Sequence, residues 1–192
     1  MMIARLIFAG AAILSTAGGA FATTYDVTTL AVPGAEDTVA YGINGSGAVT
    51  GDYNGTSGTL GFVYSGGTYT TLEYPGSGES SDTTGVQINS SWVVIGKFNT
   101  VAFRYSGGSG GTYAEIDYPH STMTVASGIN ASGAVAGYYT TGLKALASGY
   151  VYSDGSYTRI KYPKSGDTYV NAIDTAGAVA GYSSRVPRSL VL

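Results

Sequence analysis

Four copies of one short motif run through this chain and constrain its fold more than any other feature. In each copy an isoleucine precedes Asn or Asp, and small residues and a valine follow at nearly constant spacing. The four isoleucines are Ile43, Ile88, Ile129 and Ile173, which lie 45, 41 and 44 residues apart. Such periods are typical of repeat architectures, in which each unit buries its apolar face against its neighbours.

Each unit also contains segments that predict β-strands. They are rich in β-branched and aromatic residues, and Gly, Asn, Ser or Pro stands at their boundaries. Turn dipeptides such as Gly66-Gly67 and Asp154-Gly155 predict hairpins between them. With a short strand before each isoleucine, a unit holds four strands in about 43 residues. The strand segments are Gly61–Tyr64, Ala102–Tyr105 and Gly149–Tyr152, followed by Tyr69–Tyr74, Tyr113–Tyr118 and Tyr157–Tyr162.

The two ends of the chain complement each other. The predicted units lie near 38–75, 83–119, 124–163 and 168–192, and the fourth lacks its last strand. Val27, Leu30, Val32 and Pro33 keep the spacing of the closing strand of the first unit, Tyr69–Pro75. We therefore expect residues 23–37 to complete the last unit.

This pairing predicts an all-β, four-bladed β-propeller-like ring. The N-terminal strand lies beside Ser189–Leu192, which leaves no gap in the circle. A solenoid or open sheet is an alternative, as is a larger ring assembled from several chains. For a ring that closes on its own we expect a monomer.

The first 22 residues have the features of a secretory signal peptide. Arg5 precedes an apolar run, and small residues follow up to Ala22. The apolar run is too short to span about 30 Å of hydrocarbon. We expect cleavage after Ala22, a single mature domain at 23–192 without a transmembrane segment, and a secreted or periplasmic location at a bacterial cell exterior.

Composition restricts the chemistry. The chain has no cysteine, a single histidine and a formal net charge of -3. A thiolate site and a multi-histidine metal site are excluded, and a mildly acidic chain does not predict nucleic-acid binding. We expect no cofactor.

The repeat resembles a known family. The segments Tyr69–Gly76, Gly42–Tyr53 with Gly128–Tyr139, and Gly61–Tyr64 are similar to bacterial extracellular repeats named HAF for a His-Ala-Phe triplet. The triplet itself departs from the family, because the chain has no histidine at Leu60–Phe62, Val101–Phe103 or Ser148–Tyr150. The resemblance implies a secreted repeat protein and brings no catalytic residues.

The recurrent polar residue after each isoleucine is the candidate ligand site. A ring of side-chain amides and one carboxylate could bind a polyol or a cation at the axial opening. These residues also suit Asx turns, in which the side chain satisfies its own backbone, and we favour that role. The candidates are Asn44, Asn89, Asn130 and Asp174.

Carboxylates are the other chemical candidates, because a carboxylate pair can hydrolyse glycosides. Glu73 and Asp117 alternate with apolar neighbours, and Lys161 takes the same place in the third unit, so this position predicts a solvated face. Glu115 is the remaining candidate, and His120 stands alone in a loop. No catalytic constellation is recognised.

The recurrent tyrosines are expected to pack between units. They form three sets at fixed repeat positions: Tyr64, Tyr105 and Tyr152; Tyr74, Tyr118 and Tyr162; and Tyr69, Tyr113 and Tyr157.

The sequence therefore predicts a secreted, non-catalytic binding or interaction module whose partner is a carbohydrate or another surface protein. The alternative is a carbohydrate-active enzyme, a glycoside hydrolase or lyase, on a propeller scaffold.

Overall fold

The computed structural model describes residues 4–8, 25–56, 58–76, 81–142, 146–163 and 166–184, and these form sixteen β-strands and no helix. The predicted all-β class is confirmed. No helix in these ranges is long and apolar enough to cross a membrane.

Strands β1 (Ala4–Phe8) and β2 (Tyr25–Thr29) pair in parallel at the N-terminus. The remaining strands fall into the four predicted units. Unit 1 contains β3 (Thr38–Ile43), β4 (Val49–Gly55), β5 (Gly58–Ser65) and β6 (Thr68–Leu72). Unit 2 contains β7 (Ser81–Ile88), β8 (Val94–Phe98), β9 (Val101–Ser106) and β10 (Thr112–Ile116). Unit 3 contains β11 (Met123–Ile129), β12 (Val135–Thr140), β13 (Ser148–Ser153) and β14 (Ser156–Ile160). Unit 4 contains β15 (Thr168–Ile173) and β16 (Val179–Ser183).

Units 1 to 3 are antiparallel meanders of four strands, as the strand segments predicted. The hairpin turns behave as expected. Gly66 and Gly67 have positive φ, as do Asp154 and Gly155, which suits turns whose twist matches the flanking strands.

Consecutive units stack face to face. The first strand of each later unit, β7, β11 or β15, packs across the first three strands of the unit before it. Units 1 and 2 are joined as well by a short parallel ladder, in which Gly58 pairs with Ser81 and Thr59 with Asp82. The apolar clusters consequently span the junctions: Leu72 of unit 1 packs with Phe103 of unit 2, and Ile116 of unit 2 packs with Tyr150 of unit 3.

Two glycines of the motif have separate physical roles. Each first strand carries a β-bulge, which in unit 3 lies between Ala126 and Gly128. A Cβ at Gly137, on the facing strand, would overlap the carbonyl oxygen of Val125, so this position requires a hydrogen. Gly133 instead has φ +87°, in the left-handed region that favours glycine.

A threonine ties each unit to the closing segment that precedes it. The hydroxyl of Thr83 accepts a hydrogen bond of 3.2 Å from the backbone N–H of Tyr74. Thr38 accepts the same bond from Val32 at 3.1 Å, and Leu30 is buried against unit 1. The N-terminal segment therefore packs on unit 1 as a closing strand packs on the next unit, which matches its predicted spacing. The remaining bonds join Tyr118 to Thr124 and Tyr162 to Thr168.

The described sheets do not close a ring, since no hydrogen-bonded ladder joins unit 4 to unit 1 or to β2. The predicted partner of the N-terminal strand, Ser189–Leu192, lies outside the described residues. Most of the predicted signal peptide also lies outside them, except for β1. The two ends of the array are less covered than its middle: Ile43 is 56% exposed, whereas the equivalent Ile88 and Ile129 are 5% and 8% exposed.

Candidate functional site

The four candidate ligand residues each begin a tight turn between the first two strands of a unit. In unit 1, Asn44 Oδ1 accepts hydrogen bonds from the backbone N–H groups of Ser46 and Ala48, at 3.1 and 2.9 Å. In unit 4, Asp174 Oδ1 accepts from Ala176 and Ala178 in the same way. The structure confirms the Asx turn, which explains why an oxygen acceptor recurs at this position.

The same residues are joined in a row that runs through all four units. Asn44 Nδ2 donates to the carbonyl oxygen of Asn89, Asn89 Nδ2 to that of Asn130, and Asn130 Nδ2 to that of Asp174, each at 3.0 Å. We call this row the asparagine ladder. It was not predicted, because the turn pattern accounts for the oxygen of each side chain and not for its nitrogen.

Burial restricts what the ladder can bind. Asn89 and Asn130 are each 6% exposed, and their oxygens and nitrogens are already engaged in turn and ladder bonds. A ligand at these two side chains would have to replace bonds that hold the units together. Asn44 and Asp174, at the ends of the row, are more accessible.

Asp174 differs from the other three in one chemical respect. A carboxylate accepts hydrogen bonds and cannot donate them. The Asp174 carboxylate forms the turn, and the backbone carbonyl of Asp174 accepts the ladder bond from Asn130, but the side chain has no N–H to continue the row.

The carboxylates considered for hydrolysis lie on the solvated face that the alternation predicted. Glu73, Asp117 and the equivalent Lys161 are all exposed, and so is Glu115. Asp117 Oδ1 accepts a hydrogen bond of 2.9 Å from the Ser121 hydroxyl, a contact that holds the following loop.

His120 is exposed in that loop with φ +62°, as expected of a loop residue. Within the described ranges no group of three or more His, Cys, Asp or Glu side chains could hold a metal ion.

Eight of the nine recurrent tyrosines pack in the apolar clusters, and Tyr162 is the exception. Two of them are also in contact within each unit: Tyr69 and Tyr64 lie 4.8 Å apart between ring centroids, and the equivalent pairs in units 2 and 3 each lie 4.7 Å apart. Tyr74 and Tyr118 pack against the core of the following unit, whereas Tyr162 is 62% exposed. At the repeat position where Phe98 and Tyr139 stack on Tyr74 and Tyr118, unit 4 has Ser183.

Burial raises the pKa of two of these tyrosine hydroxyls above the usual value. It raises the pKa of Tyr113 to about 12, and a hydrogen bond with the backbone of Glu73 opposes part of the shift. Burial likewise raises the pKa of Tyr157 to about 12, against a hydrogen bond with the backbone of Asp117.

One position at each junction changes in chemistry from unit to unit. Between units 3 and 4, Tyr138 meets Tyr169 at 4.8 Å between ring centroids, and Tyr169 stacks on its strand partner Tyr182 at 4.8 Å. Between units 1 and 2 the equivalent residues are Asp52, Thr84 and Lys97, in the same strand pairing. The Thr84 hydroxyl donates to Asp52 Oδ2 at 2.8 Å.

The junction between units 1 and 2, where these residues are polar, contains a crevice of about 340 Å3, which we call the junction crevice. Asp52 is half-buried beside it, Thr84 is buried, and the Asp82 and Lys97 side chains are exposed at its rim. Burial raises the pKa of the Asp52 carboxyl, and the charge of Asp37 raises it further, while the Thr84 hydrogen bond and the charge of Lys97 act in the opposite direction. The crevice is lined by Asp52, Thr59, Asp82, Thr84, Lys97 and Asn99.

Sequence analysis missed the junction crevice and the threonine bonds. A signal for the threonines was present, because Thr38, Thr83, Thr124 and Thr168 each stand five residues before a motif isoleucine. The signal for the crevice was weaker. The repeat position that holds Tyr138 and Tyr182 in units 3 and 4 holds Asp52 and Lys97 in units 1 and 2.

No protein-family model and no curated protein matches the chain. Twelve chains of solved structures match. One is a catalytically inactive virginiamycin B lyase from Staphylococcus aureus, solved with quinupristin, at 14% identity and a TM-score of 0.45. The match covers 79% of this chain and 57% of that chain.

Proposed function

We propose that the domain is a non-catalytic binding module that presents variable side chains on a constant scaffold. The observation that carries the proposal is the contrast between two kinds of repeat position. The asparagine ladder, the threonine hydrogen bonds and the glycine that faces the β-bulge from the second strand recur from unit to unit. The junction position instead changes from Asp52 to Lys97, Tyr138 and Tyr182.

Such a division is typical of repeat proteins that bind partners. Scaffold residues fix the offset between neighbouring units, so surface positions can vary without loss of the fold. The partner is a carbohydrate or another surface protein. The domain acts at a bacterial cell exterior after removal of residues 1–22, in keeping with its resemblance to the HAF-type repeats.

The proposal includes a closed four-bladed ring in a monomer. Three features support closure. Ile43 at one end and Ala180 at the other are exposed at positions that are buried in the inner units. Leu30 already packs on unit 1 in the manner of a closing strand. A cavity of about 350 Å3 beside unit 4 is lined by Ile160, Tyr162, Val179 and Tyr182, among others.

That cavity lies where units 1 to 3 place a core aromatic residue. Phe62, Phe103 and Tyr150 are fully buried at this repeat position, against the glycine of the second strand. In the sequence of unit 4 the equivalent residue is Leu190. A third strand formed by Ser189–Leu192 would fill the cavity and leave its edge for the N-terminal strand.

Two assays on the exported chain test the binding function. A glycan array and a pull-down from cell-surface extract should give a saturable partner, and a hydrolase and lyase panel should give no turnover. Turnover that Glu73→Gln or Asp117→Asn abolishes would overturn the proposal in favour of a carbohydrate-active enzyme.

Deletion of residues 23–34 tests closure. The deletion removes the buried Leu30, whose burial contributes about 1.5–3 kcal/mol, and exposes a sheet edge. We expect a lower melting temperature and self-association in sedimentation velocity. A deleted chain that stayed monomeric with the parent's melting temperature would contradict closure.

A further inference from the structure

The junction crevice between units 1 and 2 is not a requirement of the fold. The repeat supplies its own control, because the same three positions between units 3 and 4 are filled by tyrosine rings in mutual contact. Asp52, Thr84 and Lys97 therefore replace a packing solution that this chain uses elsewhere. Three aromatic rings, joined by two ring contacts, are exchanged for polar groups around a space of about 340 Å3.

The polar groups of the crevice combine acceptors and donors. The Asp52 and Asp82 carboxylates accept hydrogen bonds, the Lys97 ammonium donates, and the Asn99 amide does both. A hydroxyl group also donates and accepts, so a ligand with several hydroxyls matches this lining better than a purely apolar or purely accepting ligand. The volume falls within the range of small-molecule sites, about 300–1,000 Å3.

The charged side chains of the crevice restrict the class of ligand further. Asp52 and Asp82 outnumber Lys97, and Asp37 lies close enough to Asp52 to act on it electrostatically. This excess of negative charge disfavours an anionic ligand such as a uronic acid. The Lys97 ammonium in the same lining disfavours a bare cation.

We propose that the junction crevice is a saccharide-binding site for a neutral or amino sugar. The geometry gives each partner a role: Asp52, held by Thr84, forms the floor and accepts hydroxyl hydrogens, while Asp82 and Lys97 contact the ligand from the rim. This inference rests on the proposed binding function and names its ligand class.

The experiment is a titration of the 15N-labelled exported chain, followed by amide chemical shifts. The probes are cellohexaose, maltohexaose, xylohexaose and a glucosamine hexamer, with trigalacturonate and spermidine as charged comparisons. We expect at least one of the four neutral or amino sugars to shift the amides of Thr59, Asp82, Thr84 and Lys97 together. Shifts there by none of these sugars, or by trigalacturonate or spermidine in preference to them, would overturn the inference.

Variants locate the site. Asp82→Asn with Lys97→Met changes two exposed side chains of the crevice, so the melting temperature should be unchanged while the Kd for the sugar rises at least tenfold. The matched control is Glu73→Gln with Lys161→Met, which changes an exposed carboxylate and an exposed lysine elsewhere and should leave the Kd unchanged.

The failures of the two proposals are distinguishable. A sugar whose Kd is the same for the crevice variant and the control binds elsewhere, which overturns the crevice and keeps the binding function. A saturable protein partner without any sugar binding has the same consequence. Turnover of a glycan would instead overturn the non-catalytic function.

Discussion

Replacing Asn89 with Ala removes the centre of the asparagine ladder. Asn89 Oδ1 accepts from the N–H groups of Ser91 and Val93, at 3.0 and 2.9 Å, and Nδ2 donates to Asn130 at 3.0 Å. Each hydrogen bond contributes about 0.5–1.5 kcal/mol, and a buried N–H left unsatisfied, as at Val93, costs about 1–3 kcal/mol. We expect Asn89→Ala to lower the free energy of unfolding by about 3–4 kcal/mol.

Three related variants separate the contribution of the turn to stability from that of the asparagine ladder. Asn130→Ala should cost about as much as Asn89→Ala, since it is equally buried. Asp174→Ala should cost about 1 kcal/mol or less, because water can replace its exposed turn bonds. Asn44→Asp keeps the turn acceptor and loses only the ladder donor, so we expect about 1 kcal/mol.

Urea denaturation measures the series. With a denaturant slope of about 1–3 kcal/mol per M, the midpoint for Asn89→Ala should fall by about 1–4 M while the slope stays constant. The reasoning is refuted if Asp174→Ala costs as much as Asn89→Ala, or if Asn89→Ala costs under about 1 kcal/mol.

Three further outcomes are expected. Gly137→Ala should cost about 3 kcal/mol or more, because its Cβ would overlap a backbone oxygen, whereas Gly45→Ala, with open space around it, should be nearly neutral in thermal melts. Asp174→Asn should stabilise a closed ring by about 1 kcal/mol, since the new amide can donate to the carbonyl of Asn44, and equal melting temperatures would count against closure. The pKa of Tyr113 is raised from 10.0 to about 12, so its contribution to stability is fully present below pH 10 and is lost as the pH rises through about 12. Absorbance at 295 nm should accordingly show tyrosines that ionise well above pH 10 in the folded protein, and complete ionisation near pH 10 would contradict this.

The sequence by itself determined the repeat, the strand class and the local turns. Strands follow from β-branched and aromatic segments, and hairpins from Gly66-Gly67 and Asp154-Gly155, because these signals act within a few residues. The exposed position of Glu73 and the Asx turn at Asn44 follow equally from local alternation and local hydrogen bonding.

The tertiary structure decided the contacts between neighbouring units, because these contacts depend on how one unit is placed against the next. Whether Asn89 Nδ2 meets the next carbonyl and whether Asp52 meets Thr84 both depend on the distance and rotation between two units. No pattern within one unit encodes these quantities, because stacking is set by the combined packing of side chains from both units. The turn residues hold the scaffold together, as local sequence indicates, whereas the junction crevice exists only where two units meet face to face.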